Sequence, residues 1–389
     1  VHLDAIRGGA AVIVFLAHLH FVFLPSLRKA AHPATTTTTA TIAPAATHHR
    51  SGGHPDPAHQ AVMVFFVLSG FLVGGSAFRT IKRQSWSWTR YMLHRVVRLW
   101  MVLIPALLLT LLLDTTALRV FAGQGTIYSA PAGQDIMQPD IAARLGASTF
   151  FGNMFFLQEI LVTHLGSNHP LWSLTNEFWY YMAFPLLVFA LVPRTPLVWR
   201  LASVALLGGI FWFTGWKIAI YFAIWLVGAL AAILPGKILA NHRRLYVLLA
   251  VVLFIVANIS ARYQGETSFL VDLTIGVAAF ALLYTISQLR EPSSRSLYRT
   301  VARFTSKISY SLYLTHGSLL IFMSALLVGR WKMLPLDGHT VVILCEVTVA
   351  ALVTACAMHY LFEARTDQVR RFLEGKFRRR RIEAVAEPS

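Results

Sequence analysis

The sequence predicts an all-α membrane protein, a polytopic helical bundle of about ten transmembrane helices with both termini cytoplasmic. Three observations carry that reading. Of 389 residues, 56% are hydrophobic and only 13% charged. Apolar runs of membrane length recur along the whole chain, giving a mean hydropathy of +0.59. The basic residues gather in alternate loops rather than evenly.

Taken in order, the spans are expected at Ala5–Leu24, His59–Phe78 and Tyr91–Leu113, then at Leu171–Val192, Val198–Phe213, Ile218–Leu234, Leu245–Ile259, Phe269–Ser287, Ile308–Val328 and His339–Phe362. Each run approaches the roughly 15 to 25 residues that a bilayer core requires. Between the third and fourth, Ser148–Leu165 is apolar but holds Asn153 and Glu159, and reads as an interfacial or re-entrant segment. The outward loop from Pro25 to Ala58 is rich in Thr, Pro and His and is expected to be poorly ordered. Its His48, His49 and His54, with His59, match no metal-ligand spacing, so no metal is expected. Cys345 and Cys356 stand eleven residues apart on one helix, about 16 Å along its axis, too far for a disulfide.

With the N-terminus cytoplasmic, most of the 34 Lys and Arg residues fall in inner loops, Arg194, Lys237, Arg290 and Arg295 among them. The net charge of +17 is thereby explained by topology and anionic headgroups, and no nucleic-acid partner is expected. Residues 1–363 form the membrane domain, and 364–389 a basic cytoplasmic tail whose Lys376–Arg381 stretch serves as a topology and lipid anchor.

Ionisable groups inside the spans mark the site, because each costs several kcal/mol in hydrocarbon unless paired or hydrated. Arg7, Ala11, Val14 and His18 form one stripe of the first helix, with Asp4 close to it and His20 on the opposite side. Glu177 lies about as far below the outer end of its span as His18 does below its own, so the two are expected to meet. A carboxylate beside an imidazole holds one ring nitrogen protonated and leaves the other as a base. Ser173, Tyr180 and Tyr181, at i−4, i+3 and i+4, can share the face of Glu177. Trp172 and Trp179 also fit an aromatic belt at the membrane surface. At the inner end of the third span, Arg95 and Arg98 share a face, with Arg90 upstream. They suit a phosphate grip, although ordinary positive-inside charge accounts for the same residues. His316 either lines the path of a long donor arm or is a satisfied interior histidine, and Ser69 with Gly70 reads as a close helix crossing.

The ordered stretches RGGAAVIVFLAH (Arg7–His18), FFVLSGFLV (Phe65–Val73), RVVR (Arg95–Arg98), WSLTNEFWYY (Trp172–Tyr181), ISYSLYLTH (Ile308–His316, with Tyr313) and FE (Phe362, Glu363) resemble the successive motifs of acyltransferase family three. These are integral-membrane acyltransferases that modify bacterial surface sugars and some small natural products. Trp100 and Met101 depart from that pattern, standing where a proline commonly follows the arginine pair. The resemblance implies an acyl-CoA donor, most often acetyl-CoA, a hydroxyl of a glycan or lipid-linked sugar as acceptor, and a multi-pass location in the cell inner membrane. Arg7 and His18, the pair Arg95 and Arg98, and Glu177 fall on motif positions of the family; joined to the reading of the residues above, this puts His18 and Glu177 in catalysis and Arg7, Arg90, Arg95 and Arg98 at the donor phosphates, with Asp4, Trp172, Ser173, Tyr180, Tyr181, Tyr313 and His316 in supporting positions. Either direct transfer or a His18-bound acyl group is compatible with the motifs. The residues alone leave two other classes open, a transporter or flippase and a noncatalytic sensor; acceptor-dependent release of CoA separates the enzyme from both.

Overall fold

The computed structural model describes residues 1–24, 56–129, 140–193, 195–234, 242–263, 268–289, 296–330 and 332–386, with 262–263 and 377–386 as backbone. Most of the Thr- and His-rich loop, with His48, His49 and His54, lies outside the described residues, as do Arg194, Lys237, Arg290 and Arg295. The chain forms α1 (His2–Phe23), α2 (Pro57–Ser69), α3 (Gly75–Lys82), α4 (Trp88–Val120), α5 (Ala147–Met154), α6 (Trp172–Leu191), α7 (Leu197–Thr214), α8 (Trp216–Ile233), α9 (Arg243–Tyr263), α10 (Phe269–Ile286), α11 (Leu297–Leu327), α12 (Gly338–Leu361) and α13 (Thr366–Ala386). No strand occurs among the described residues.

Among the described residues, nine helical stretches are long and apolar enough to cross a membrane. The twenty-residue α6 has the length as well, but Asn176, Glu177 and the two tyrosines after them make it less apolar. Every expected span therefore has its helix. The largest boundary difference is at α11, which begins at Leu297 instead of Ile308. Its first turns, LYRTVARFTSK, are amphipathic and carry charge, so hydropathy hides them while helical propensity continues through them. Cys345 and Cys356 are free thiols.

Helix starts follow local chemistry. Asp56 accepts the Ala58 N–H with Pro57 at the first helical position of α2, and Asp337 accepts the Thr340 N–H of α12 at 2.8 Å. Between α2 and α3 a single wide π-turn spans Gly70–Gly74. There α2 crosses α8 closely: a Cβ on Gly70 would lie 2.0 Å from the Trp225 carbonyl oxygen, and one on Gly228 would lie 1.9 Å from the Val67 carbonyl oxygen. Only glycine permits that approach.

The centre of the bundle is α11, which packs on α1, α4 and α12. Its inward face is small and polar, with Ser309, Ser311, Thr315, His316 and Ser318 all buried. Hydroxyls at such positions satisfy themselves or a neighbour, as Thr110 does in donating to Ser318 at 3.1 Å.

The segment between α4 and α6 is re-entrant. The Trp100 indole N–H, on the thirteenth residue of α4, donates to the Met154 carbonyl at 2.9 Å, and the Trp179 indole donates to the Phe156 carbonyl at 3.1 Å. Non-helical backbone within a membrane needs such partners. Asp114 anchors the returning chain, accepting from the Ser167 N–H and hydroxyl and from the Tyr128 hydroxyl, each at 2.8 Å. Asn168 then donates to the Leu314 carbonyl and to Thr110, so α6 starts against the middle of α11.

Candidate active site

The residues read as a site separate into a basic cavity at one end of the bundle and a histidine pair deeper within it. The cavity, about 450 Å³, is lined by Asp4 and Arg7 of α1, Arg98 of α4, Arg303, Ser306 and Lys307 of α11, His359 in the last turn of α12, and Glu363 just after it. The starts of α1 and α11 and the end of α12 thus share one face of the protein. Arg98 donates to Glu363 Oε1 at 2.7 Å, while Glu363 Oε2 accepts from Ser311 at 2.7 Å and lies 3.3 Å from His359 Nδ1. Arg7 forms no ion pair among the described residues, although Asp4, Glu177 and Arg98 all act on it electrostatically. Asp4 accepts from Ser306 at 3.2 Å.

Of the four arginines expected to hold the donor phosphates, Arg7 and Arg98 line this cavity and Arg90 and Arg95 do not. Arg95 is turned toward α6, its guanidinium 5.8 Å from the ring centres of both Tyr91 and Tyr181. Arg90 is exposed, with its Nε 3.9 Å from Glu374 of α13. The same carboxylate bonds His94 at 2.5 Å, so the described part of the tail lies back against the start of α4. Arg303, Lys307 and His359 were missed as site residues because loop-proximal charge reads equally well as topology.

His18 is half-buried, and its Nδ1 lies 2.8 Å from His316 Nε2. His316 is buried, and its Nδ1 faces the Leu312 and Tyr313 carbonyls at 3.0 and 2.9 Å. Carbonyls only accept, so His316 Nδ1 carries the hydrogen. With both rings neutral, His316 Nε2 is then an acceptor and His18 Nδ1–H the donor. His18 Nε2 is left as the unprotonated, basic nitrogen.

The expected bond between His18 and Glu177 is not made. Glu177 Oε1 accepts from Ser69 at 2.8 Å and from Tyr181 in a shorter bond. The reason is depth and neighbourhood. Because α6 starts from a re-entrant chain, its Ser173 already meets Tyr313, at 2.7 Å, three residues before His316 on α11. Glu177 lies about 6 Å further toward the arginines. The main packing partners of α1 are α11 and α2, whereas α6 sits beyond α2.

The supporting residues divide likewise. Tyr181 reaches Glu177, but Tyr180 donates to the Ile218 carbonyl at 2.9 Å and is buried against α8. Ser173 and Tyr313 bond each other, and Tyr313 also donates to the Pro170 carbonyl at 3.0 Å. Trp172 stacks on His59, whose Nε2 is 2.9 Å from buried Asp272. Ser69 takes a polar role that its motif did not reveal, since it also accepts from the Trp225 indole at 3.2 Å.

A basic cavity and an oriented imidazole on one membrane-spanning helix suit group transfer from a charged donor. Residues 1–360 match the acyltransferase domain of acyltransferase family 3. The chain belongs to that family and, with its membrane-length helices, is a multi-pass membrane protein of acyltransferase type. No curated protein and no solved structure gives a significant match.

Proposed function

We propose that the protein transfers an acyl group, most often acetyl, from cytoplasmic acyl-CoA to a hydroxyl of a glycan, lipid-linked sugar or similar acceptor in the bacterial inner membrane. The observation that carries the reading is the pairing of His18 with His316 on the helix that also bears Arg7. Eleven residues separate Arg7 from His18, about 16 Å along α1. An extended pantetheine arm, two amide units and their flanking carbons, has comparable length. A nucleotide head held in the basic cavity would therefore present its thioester near His18. On this reading the basic face is cytoplasmic, as the loop charges favour.

In the proposed mechanism His18 Nε2 takes the proton of the acceptor hydroxyl as its oxygen attacks the thioester carbonyl. The C–S bond breaks, the acyl ester forms, and the departing thiolate takes the proton back from the imidazolium, giving free CoA. His316 holds the His18 Nδ1–H throughout and so fixes which nitrogen is the base. Glu177 acts at one remove: its charge offsets Arg7 and its Oε1 orders Ser69 and Tyr181 beside the path of the arm. Arg7 and Arg98 hold the pyrophosphate, and Arg95, with Arg90, supplies positive potential at the entrance.

The test is incubation of purified protein in nanodiscs with radiolabelled acetyl-CoA and membrane-derived acceptor lipids. Acceptor-dependent label transfer and CoA release are expected from the wild type. His18→Ala should lose about 10²–10⁴-fold in kcat while still binding CoA. Unchanged transfer by that variant, or movement of an acceptor across the bilayer without thioester loss, would overturn the reading.

A further inference from the structure

Two cations of the cavity belong to no motif: Arg303 and Lys307, four residues apart on α11 and both exposed. We infer that they form a subsite for the 3′-phosphate of the nucleotide head, a dianionic phosphomonoester, and so distinguish CoA from donors that lack this group. The inference rests on the donor reading above and adds to it.

The order of groups along CoA is fixed covalently: thioester, pantetheine arm, pyrophosphate, then the ribose with its 3′-phosphate. If the thioester is at His18 and the pyrophosphate at Arg7 and Arg98, the 3′-phosphate is the outermost anion. It must then meet cations on the mouth side of the cavity. Arg303 and Lys307 are on one face of α11, one helical turn apart, so they can close on one phosphate from two directions. Arg98 is held in place by Glu363, to which one of its N–H groups donates. The carboxylates lining the cavity are committed elsewhere. Asp4 is engaged by Ser306, and Glu363 by Arg98, Ser311 and His359. Neither Arg303 nor Lys307 forms an ion pair with them among the described residues. An anionic lipid headgroup offers the same chemistry at a membrane face, and the experiment separates the two sources.

The full chain in neutral phosphatidylcholine nanodiscs is titrated calorimetrically with CoA and with 3′-dephospho-CoA. The wild type should bind CoA about 10- to 100-fold more tightly, the range expected for charge-assisted hydrogen bonds to one phosphate. The double variant R303Q/K307Q should bind both compounds alike, at the wild type's affinity for dephospho-CoA. Circular dichroism confirms that these exposed substitutions leave the helices intact. Equal wild-type affinities for the two compounds, or full discrimination retained by the variant, would overturn the subsite while leaving the donor reading standing. Retained discrimination with a loss of affinity for anionic vesicles would assign the pair to lipid instead. Absence of any CoA binding by the wild type would remove both.

Discussion

His18 Nδ1 and His316 Nε2 are 2.8 Å apart across the contact between α1 and α11, and the carbonyls behind His316 determine which ring donates. His316→Ala should therefore lower kcat by about 10- to 100-fold, as loss of an orienting partner typically does, with little change in the KM for acetyl-CoA. His316→Gln, whose amide oxygen can accept from His18, should recover part of the rate. ¹⁵N spectra of histidine-labelled protein should show hydrogen on His18 Nδ1 in the wild type and a tautomer mixture in the alanine variant. A pure Nε2–H form in the wild type would contradict the arrangement.

Glu363 joins Arg98, Ser311 and His359 at the end of the bundle. Replacing it with alanine leaves the Arg98 charge beside Arg7 without its carboxylate. Because Arg98 is partly open to solvent, the cost is expected to be about 1–3 kcal/mol rather than that of a fully buried pair. Thermal unfolding in detergent should show a lower midpoint for Glu363→Ala, recovered by added CoA, whose phosphates would offset the same two arginines.

Trp100 and Trp179 each donate one hydrogen bond to the re-entrant turn. Phenylalanine at either position keeps most of the apolar area but strands a carbonyl within the membrane. A loss of about 1–3 kcal/mol is expected for each. Proteolysis of the 147–171 segment from the face opposite the basic cavity should accelerate in both variants and not in Trp212→Phe, whose side chain is exposed at the bundle surface.

Glu177→Gln preserves an acceptor for Ser69 and Tyr181 while removing the charge that bears on Arg7. The expected result is a weakened acceptor-dependent rate with His18 still in its donor tautomer. Disruption of the His18–His316 bond in this variant's spectra would show that Glu177 orients the ring after all.

Much of this architecture was legible from residue order. Each of the ten spans has its helix, because hydrocarbon enforces long apolar runs and closed backbone hydrogen bonding. Membership of the family was legible too, since its motifs are local words in sequence. What was hidden is nonlocal. Equal distances from span ends placed Glu177 level with His18, but no hydropathy profile reveals that α6 starts from a coil already inside the bundle. Nor does spacing along α6 tell that Tyr180, one residue from Tyr181, turns to the Ile218 carbonyl. The partnership of His18 with His316 spans 298 positions and becomes visible only when α1 is laid on α11.

The wide turn at Gly70–Gly74 also constrains how the span from α2 to α3 tolerates change. A π-turn holds one residue more than the helix on either side, so it offsets the two halves of the span by about 100°. Deleting one residue there would scarcely shorten the rod. It would rephase it, swinging the half that bears Ala77 and Ile81 out of register with the half that bears Ser69, so the loss of a single glycine would act as a rotation of one entire wall of the protein.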